Sequence, residues 1–304
     1  MSSTVSIDQQ TQAPAEADGA LPPAAAFRPR WFPVAGPMRT FVSALMAVEV
    51  DPIRPTQLSV APHDSLMLVV QLGRGSDCIE QKGPQGENTW LTGIRRWTGS
   101  FTPAGNCFTL FAMLTPLGAV NLLESQPLGG VPRIRAQVAE VLDRQITREL
   151  ETGIAHAHSL EERLRIFGSW IETRAFRPRK LAYAAVRAAR AAMHVCEDPL
   201  AAIEAVAARE QITRRQLERD FGHWIGTSPR HLAQVARLQA VSRHAQRGWS
   251  LARIAAEVGF ADQSHMTRVV RQLTTLTPLS FVRAASTPMS MAFRAATAGG
   301  TVYL

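Results

Sequence analysis

Between residues 199 and 285 one pattern is written twice, and this repeat constrains the fold more than any other feature of the chain. In the first copy, Leu200, Ile203, Val206 and Ala207 form the apolar face of a short helix that Asp198-Pro199 would start as cap and first-turn proline. A break at Glu210-Gln211-Ile212 follows, and Thr213 caps a second helix. On it Leu217, Phe221 and Trp224 recur at helical spacing and share one face, while Arg215, Glu218 and Arg219 lie on the other. Gly226-Thr-Ser-Pro229 ends the unit. In the second copy Ser250 caps a helix whose inward positions are Leu251, Ile254, Ala255 and Val258. Gly259 stops it, Phe260 plugs the core and Asp262 caps the next helix. There Met266, Val270 and Leu273 point inward, and Gln263, Ser264, Thr267, Arg268 and Arg271 line the other side. Thr277-Pro278 closes this unit as Ser228-Pro229 closes the first. A long helix, Pro229 to Arg247, joins the two through Leu232, Val235, Leu238 and Val241.

Charge concentrates in the same stretch. The 304-residue chain carries a net +8 from 33 basic and 25 acidic residues, and of the basic ones only Lys82 and Lys180 are lysines. Residues 199–283 hold twelve arginines against six acids, so +6 of the excess lies in under a third of the chain. A GC-rich genome would favour Arg evenly along the sequence, so composition alone does not account for this. Arginine presents a planar fork suited to phosphate oxygens and guanine edges, which makes an anionic partner the natural reading of the basic third.

The run Arg253-Ile-Ala-Ala-Glu-Val-Gly-Phe-Ala-Asp-Gln-Ser-His-Met-Thr-Arg268, with Thr277-Pro278 and Phe281-Val-Arg283, resembles the signature of the AraC/XylS family of transcription regulators. Arg214-Arg-Gln-Leu-Glu-Arg-Asp-Phe221, Gly226-Thr-Ser-Pro229 and Arg237-Leu238 are similar to the first half of the same domain. Met266 and Val270 stand where the family usually has aromatics, and Thr275 where it usually has glycine. The resemblance implies a seven-helix DNA-binding domain with two recognition helices, here residues 213–225 and 262–274. It implies duplex DNA as partner and RNA polymerase as a further one, with control through the N-terminal domain by a small effector, by pairing with a second copy of the chain, or by both; the alternative is a ligand-independent regulator controlled by abundance or a protein partner.

A linking helix of this length spans roughly 28 Å, enough to set two recognition helices about one DNA turn apart in successive major grooves. By position Arg215, Glu218, Arg219, Gln263, Ser264, Thr267 and Arg268 are the candidates for reading base edges, and Arg214, Arg230, Arg243, Arg247 and Arg271 for holding phosphates.

The remaining two-thirds reads differently. Residues 1–26 are rich in Ser, Thr, Gln, Ala and Pro and read as a disordered arm with no secretory signal. Residues 27–124 are strand-like: Ser65 to Leu72 and Cys107 to Leu114 are apolar runs, with turns expected at Lys82 to Gly86 and Pro103 to Asn106. Pro132 to Arg174 shows helical periodicity in Ile134, Val138, Val141, Leu142 and Ile146, and Ser159-Leu-Glu-Glu162 is a capping box. The expected class is α+β: a β-rich, sandwich- or barrel-like sensing or dimerisation domain with a helical extension (27–180), a linker helix (181–198), an all-α DNA-binding domain (199–285) and a loose tail (286–304). Residues 27–174 are also similar to a leader domain carried by some AraC-type proteins.

Enzymatic readings find no chemistry to stand on, and no catalytic group, cofactor or metal is expected. A cupin-type metal enzyme needs two or three His on inward strands, and the β-region holds His63 alone. Cys78, Cys107 and Cys196 are scattered, so neither a zinc site nor a repair methyltransferase of the Ada type fits. His156 and His158 have no third ligand nearby, and Arg95-Arg-Trp97 reads as an edge strand or surface before an anion site. No apolar stretch reaches the ~18 to 20 residues that span a bilayer, so the chain reads as cytoplasmic.

Overall fold

The computed structural model describes residues 27–32, 34, 36–50, 58–73, 89–94, 98–101, 107–123, 136–137, 144–177 and 180–286. The strands in chain order are β1 (Phe27–Phe32), β2 (Val42–Val50), β3 (Leu58–Val60), β4 (Leu66–Gly73), β5 (Thr89–Thr92), β6 (Gly99–Phe101), β7 (Cys107–Leu114) and β8 (Ala136–Gln137). Six of them form an antiparallel sheet in the order β1-β2-β7-β4-β5-β8, and β3 pairs with β6 in a separate ribbon. The β-rich region expected from sequence therefore takes the form of one large sheet and a small ribbon, with helices over one face of the sheet.

The two apolar runs are neighbours at the sheet's centre, β4 and β7, in register from Leu66 opposite Leu114 to Gly73 opposite Cys107. They read as nearly continuous apolar sequence because both faces are buried. One face (Leu45, Leu68, Leu91, Leu110 and Ala112) packs on helices, and the other gathers Ala44, Met67, Val69 and Met113 with Trp31 and Phe111. His63 is buried just before β4. Residues 1–26, 82–86, 95–97, 103–106 and 287–304 lie outside the described residues.

The helices are α1 (Pro116–Leu122), α2 (Arg144–His156), α3 (Leu160–Ala175), α4 (Tyr183–Glu197), α5 (Ile203–Arg209), α6 (Arg214–Asp220), α7 (Pro229–Gln246), α8 (Leu251–Glu257), α9 (Gln263–Thr274) and α10 (Pro278–Ala284). A single π-helical turn, Phe221–Ile225, follows α6. Within the stretch read as helical from Pro132 to Arg174, Ala136–Gln137 is instead strand β8, paired with Trp90 and Leu91 of β5, while Ile134, Val138, Val141 and Leu142 lie outside the described residues. Tertiary pairing to a sheet edge overrides the local helical period there. The Ser159 hydroxyl caps α3 by accepting from Glu162 N at 3.0 Å, but Glu162 Oε2 returns to the backbone N–H of His158, one residue before the usual capping-box partner.

The start of α5 also differs from expectation. Asp198 ends α4, its N–H donating to His194 O at 2.8 Å, and its Oδ1 accepts from Leu200 N at 3.1 Å in a local turn. Helix α5 then begins at Ile203 without a side-chain cap, and Leu200 stays half exposed outside it.

Helix α4, expected as a connector, is a core element. Its Ala185 and Ala189 meet Val120 of α1, and its Ala188, Ala191, Ala192 and Val195 join the core shared by the sheet, α2, α3, α5, α6 and the first turns of α7. A second core holds Leu238, Val241, Ile254, Phe260, Met266, Val270, Leu273 and Phe281, together with Ala61 from the N-terminal part. The boundary between the two cores thus falls within α7, between Ala233 and Leu238, rather than in a linker.

Where α1 meets the sheet there is no room for a side chain. Thr115 N donates to Phe41 O at 3.0 Å and the Thr115 hydroxyl donates to Thr40 O at 2.7 Å, drawing the helix start onto the turn that leads into β2. A Cβ at Gly118 would stand 1.8 Å from Phe41 O, a backbone atom. Gly118→Ala is therefore expected to destabilise the fold by about 2 kcal/mol or more, read as a lowered midpoint in chemical denaturation; an unchanged midpoint would show that α1 is free to retreat.

Candidate nucleic-acid interface

Helix α6 is set by its cap and its inner face. The Thr213 hydroxyl accepts from Gln216 N at 3.2 Å, and Leu217 and Phe221 are fully buried, which turns Arg215, Glu218 and Arg219 to solvent. The π turn ends at Gly226, whose φ of 78° is a left-handed conformation and whose N–H closes on Phe221 O at 3.0 Å.

Helix α9 is held the same way. Asp262 Oδ1 accepts from His265 N at 2.6 Å, while His265 Nδ1 accepts from Ala261 N at 3.3 Å, and the His265 ring stands edge-on to Phe260. Met266, Val270 and Leu273 are buried, so two aliphatic side chains fill the places where aromatics are usual in the family. Gln263, Ser264, Arg268 and Arg271 are exposed; Thr267 is half-buried, its hydroxyl donating to Gln263 O at 2.9 Å.

Between them α7 runs 18 residues, about 27 Å, from its Ser228 cap and Pro229. Leu200 also bridges the units: a Cβ on Gly259, at φ +73°, would lie 2.2 Å from its Cδ2, and Arg237 Nε donates to Pro199 O at 3.0 Å.

The arginines assigned to phosphate divide. Arg230, Arg247 and Arg271 are exposed. Arg214 is held between two carboxylates, at 2.9 Å from Glu218 Oε1 and 2.7 Å from Glu204 Oε1. Those hydrogen bonds, Glu218's first, raise its guanidinium above its ordinary range. Glu204 is lowered, by its own backbone N–H and then by Arg214. Arg243 is not on the outer surface with the others: it is half-buried, burial pushes its guanidinium down, and Asp64 of the N-terminal part opposes that shift. The 3.6-residue period places Arg243 on a side of α7 but does not reveal its burial or the charge of Asp64 acting on it.

Several polar residues absent from the sequence-based candidates organise this surface. Asp220, buried at the end of α6, accepts from Arg187 of α4 at 2.6 Å and from Gln216 Nε2 at 2.5 Å. Glu210, also buried, accepts from Arg190 at 2.7 Å, and this bond raises the Arg190 guanidinium above its ordinary range. Gln216 could have been found from its i+3 and i+4 spacing to Arg219 and Asp220; the α4 partners carry no local signal. His156 and His158 are exposed, with His156 Nδ1 2.8 Å from Thr152 O, and among the described residues no group of His, Cys, Asp or Glu could hold a metal. No helix among those residues is long and apolar enough to cross a membrane.

Two capped helices with polar outer faces, presented by one long helix, define a DNA-binding protein of the paired helix-turn-helix class. A family profile described as a helix-turn-helix domain matches residues 206–284, and this C-terminal domain is of the AraC type found in transcription regulators. No curated protein sequence matches the chain. Among solved structures it is similar to ToxT from Vibrio cholerae O395 at 13% identity, covering 85% of this chain and 98% of that one with a TM-score of 0.39. It is also similar to a P21 form of ToxT from Vibrio cholerae (11%, 85% and 98%, 0.42) and to unsaturated fatty acid bound wild-type ToxT from strain SCE256 (11%, 78% and 94%, 0.41).

At the end of α9 Thr275 adopts φ 64°, a left-handed conformation that a β-branched residue adopts at a cost. Thr275→Gly is expected to raise stability by about 1 kcal/mol, seen as a higher denaturation midpoint at unchanged slope. A lower midpoint would mean that the bond from Thr275 Oγ1 to Thr274 O outweighs the strain.

Proposed function

We propose that this protein is a sequence-specific DNA-binding transcription regulator that inserts α6 and α9 into successive major grooves on one face of the duplex. The observation that carries this reading is the pair of capped helices with exposed polar faces, held apart by an 18-residue helix in a domain carrying most of the chain's positive charge. Arg215, Glu218 and Arg219 on α6, and Gln263, Ser264, Thr267 and Arg268 on α9, are assigned to base edges: Arg suits guanine, Gln adenine, and Glu the cytosine amino group. Arg230, Arg247 and Arg271 are assigned to phosphates, with Arg214 available once it exchanges its carboxylate partners for the backbone. Arg243 is left out of this set because it faces Asp64.

The N-terminal part is proposed as the controlling element, through a small effector or through pairing of two copies. What supports this is its direct contact with the second helix-turn-helix unit: Ala61 sits in that unit's core, Thr98 N donates to Leu273 O at 3.0 Å, and Pro62 O accepts from Gln239 Nε2. A change in the sheet domain is thereby felt where α9 is seated.

Arg219→Ala or Arg268→Ala is expected to cost about 1 to 3 kcal/mol on the preferred site and to relax preference at one base position. Arg271→Ala is expected to weaken all sequences alike and to reduce the salt slope by about 1. Binding titrations on selected and random duplexes decide the matter, since equal losses on both for Arg219 and Arg268 would leave them only phosphate contacts. For the controlling element, a metabolite screen by thermal shift is expected to find a compound that raises the melting temperature and alters DNA affinity. If no compound does so and light scattering shows only monomer, control by effector or pairing fails, and abundance or a protein partner remains.

A further inference from the structure

A line of hydrogen bonds begins in the core and ends at one of the proposed base readers. Arg187 of α4 donates from Nη2 to Asp220 Oδ2 at 2.6 Å. The second oxygen, Oδ1, accepts from Gln216 Nε2 at 2.5 Å. Gln216 Oε1 in turn accepts from Nη2 of Arg219.

The chemistry of the groups explains why a glutamine stands in the middle. A carboxylate only accepts and a guanidinium only donates, so a side chain bridging them must donate at one end and accept at the other. An amide does both, and its two neighbours fix which way it points. A glutamate at 216 would set a second carboxylate against Asp220, and a lysine would face the charge of Arg219. Gln216 has Arg219 at i+3 and Asp220 at i+4, so all three share one side of the helix.

The line also runs from rigid to free. The Arg187 and Asp220 side chains are 14% and 6% exposed, and charge-assisted hydrogen bonds in such surroundings are strong and directional. Arg219 is exposed, and its long side chain would otherwise sample many directions.

The geometry points to Asp220 and Gln216 as positioning residues for Arg219: the buried Arg187–Asp220 pair anchors the Gln216 amide, and that amide sets the direction in which the Arg219 guanidinium is offered to a base edge. This rests on the reading of Arg219 as a base reader given above.

The test uses the full-length protein, with bound sequences selected from a randomised DNA pool and preference scored position by position beside the melting temperature. Gln216→Met keeps side-chain length and helix propensity and leaves the Arg187–Asp220 pair in place. It is expected to flatten preference at the one position that Arg219→Ala flattens, by on the order of tenfold in discrimination, with other positions and the melting temperature unchanged. The double variant is expected to be no worse than Arg219→Ala alone, because the two residues act in series. Asp220→Asn is expected to flatten the same position while also lowering the melting temperature, since Arg187 loses its counter-charge.

Preference unchanged at that position in Gln216→Met, while Arg219→Ala flattens it, overturns the proposal. So does uniform weakening at every position in Gln216→Met, which is what a purely structural side chain would give. If Arg219→Ala itself leaves every position unchanged, the base-reading assignment of Arg219 is the part that fails, and the positioning role falls with it.

Discussion

Everything in this protein is hung on the alanine face of α4. Ala185, Ala188, Ala189, Ala191 and Ala192 are fully buried there, and their small side chains let α1, the π turn and α7 all come close to one helix. Alanine serves twice, because it also costs least in helix propensity where no cap is available: Ala182, before the helix, makes no side-chain cap bond. A face of methyl groups specifies closeness but little orientation. Orientation comes from the two arginines at its margin, Arg187 to Asp220 and Arg190 to Glu210, whose carboxylates are both buried. Breaking either pair would leave a buried carboxylate without its counter-charge, so these pairs hold the first helix-turn-helix unit in a defined orientation on α4.

The second unit is attached by different means. Helix α7 leaves the first core after Ala233 and enters the second at Leu238, with Gln239 fully buried at the crossing and bonded to Pro62 O. Asp64 and Arg243 face each other at the same junction, where burial pushes the Asp64 carboxyl up and its own backbone N–H and then Arg243 oppose the shift. Helices α6 and α9 therefore owe their relative pose to α7 and also to the short segment 61–64 that packs beside it.

Much of this was legible because it is local. Thr213, Ser250 and Asp262 announce helix starts through bonds that reach only three residues along the chain, and the inward residues of α6, α8 and α9 follow from the 3.6-residue period. The central strands β4 and β7 were legible for a related reason, since burial on both faces leaves an unbroken apolar run. What stayed hidden was set by distant partners. Ala136–Gln137 is a strand only because β5 offers an edge. Asp198 looks like a helix start and serves as a helix end, because one carboxylate suits either turn. The Arg187–Asp220 pair joins residues 33 apart, and the partial burial of Arg243 near the charge of Asp64 is something no periodicity in α7 could reveal. Periodicity tells which face is apolar; it is silent on what covers the rest.

The seat of α9 shows how the N-terminal part holds this helix without touching its polar face. The last carbonyls of any helix lack partners within it. In α9, Arg271 O is closed by Thr275 N at 2.8 Å, and Val270 O, one turn from the end, accepts the Thr274 hydroxyl at 2.7 Å. Leu273 O is taken by Thr98 of the N-terminal part, from its N–H at 3.0 Å and its hydroxyl at 3.4 Å. Gln263 and Ser264, the first candidates for base contact, stand at the opposite end, some 15 Å away along the helix by its rise per residue. The contact thus leaves the polar face open and grips the helix from behind. Under the proposed function, a displacement of that grip would tilt α9 as a whole, which gives the N-terminal part a route to the presentation of this helix that leaves Gln263 and Ser264 exposed.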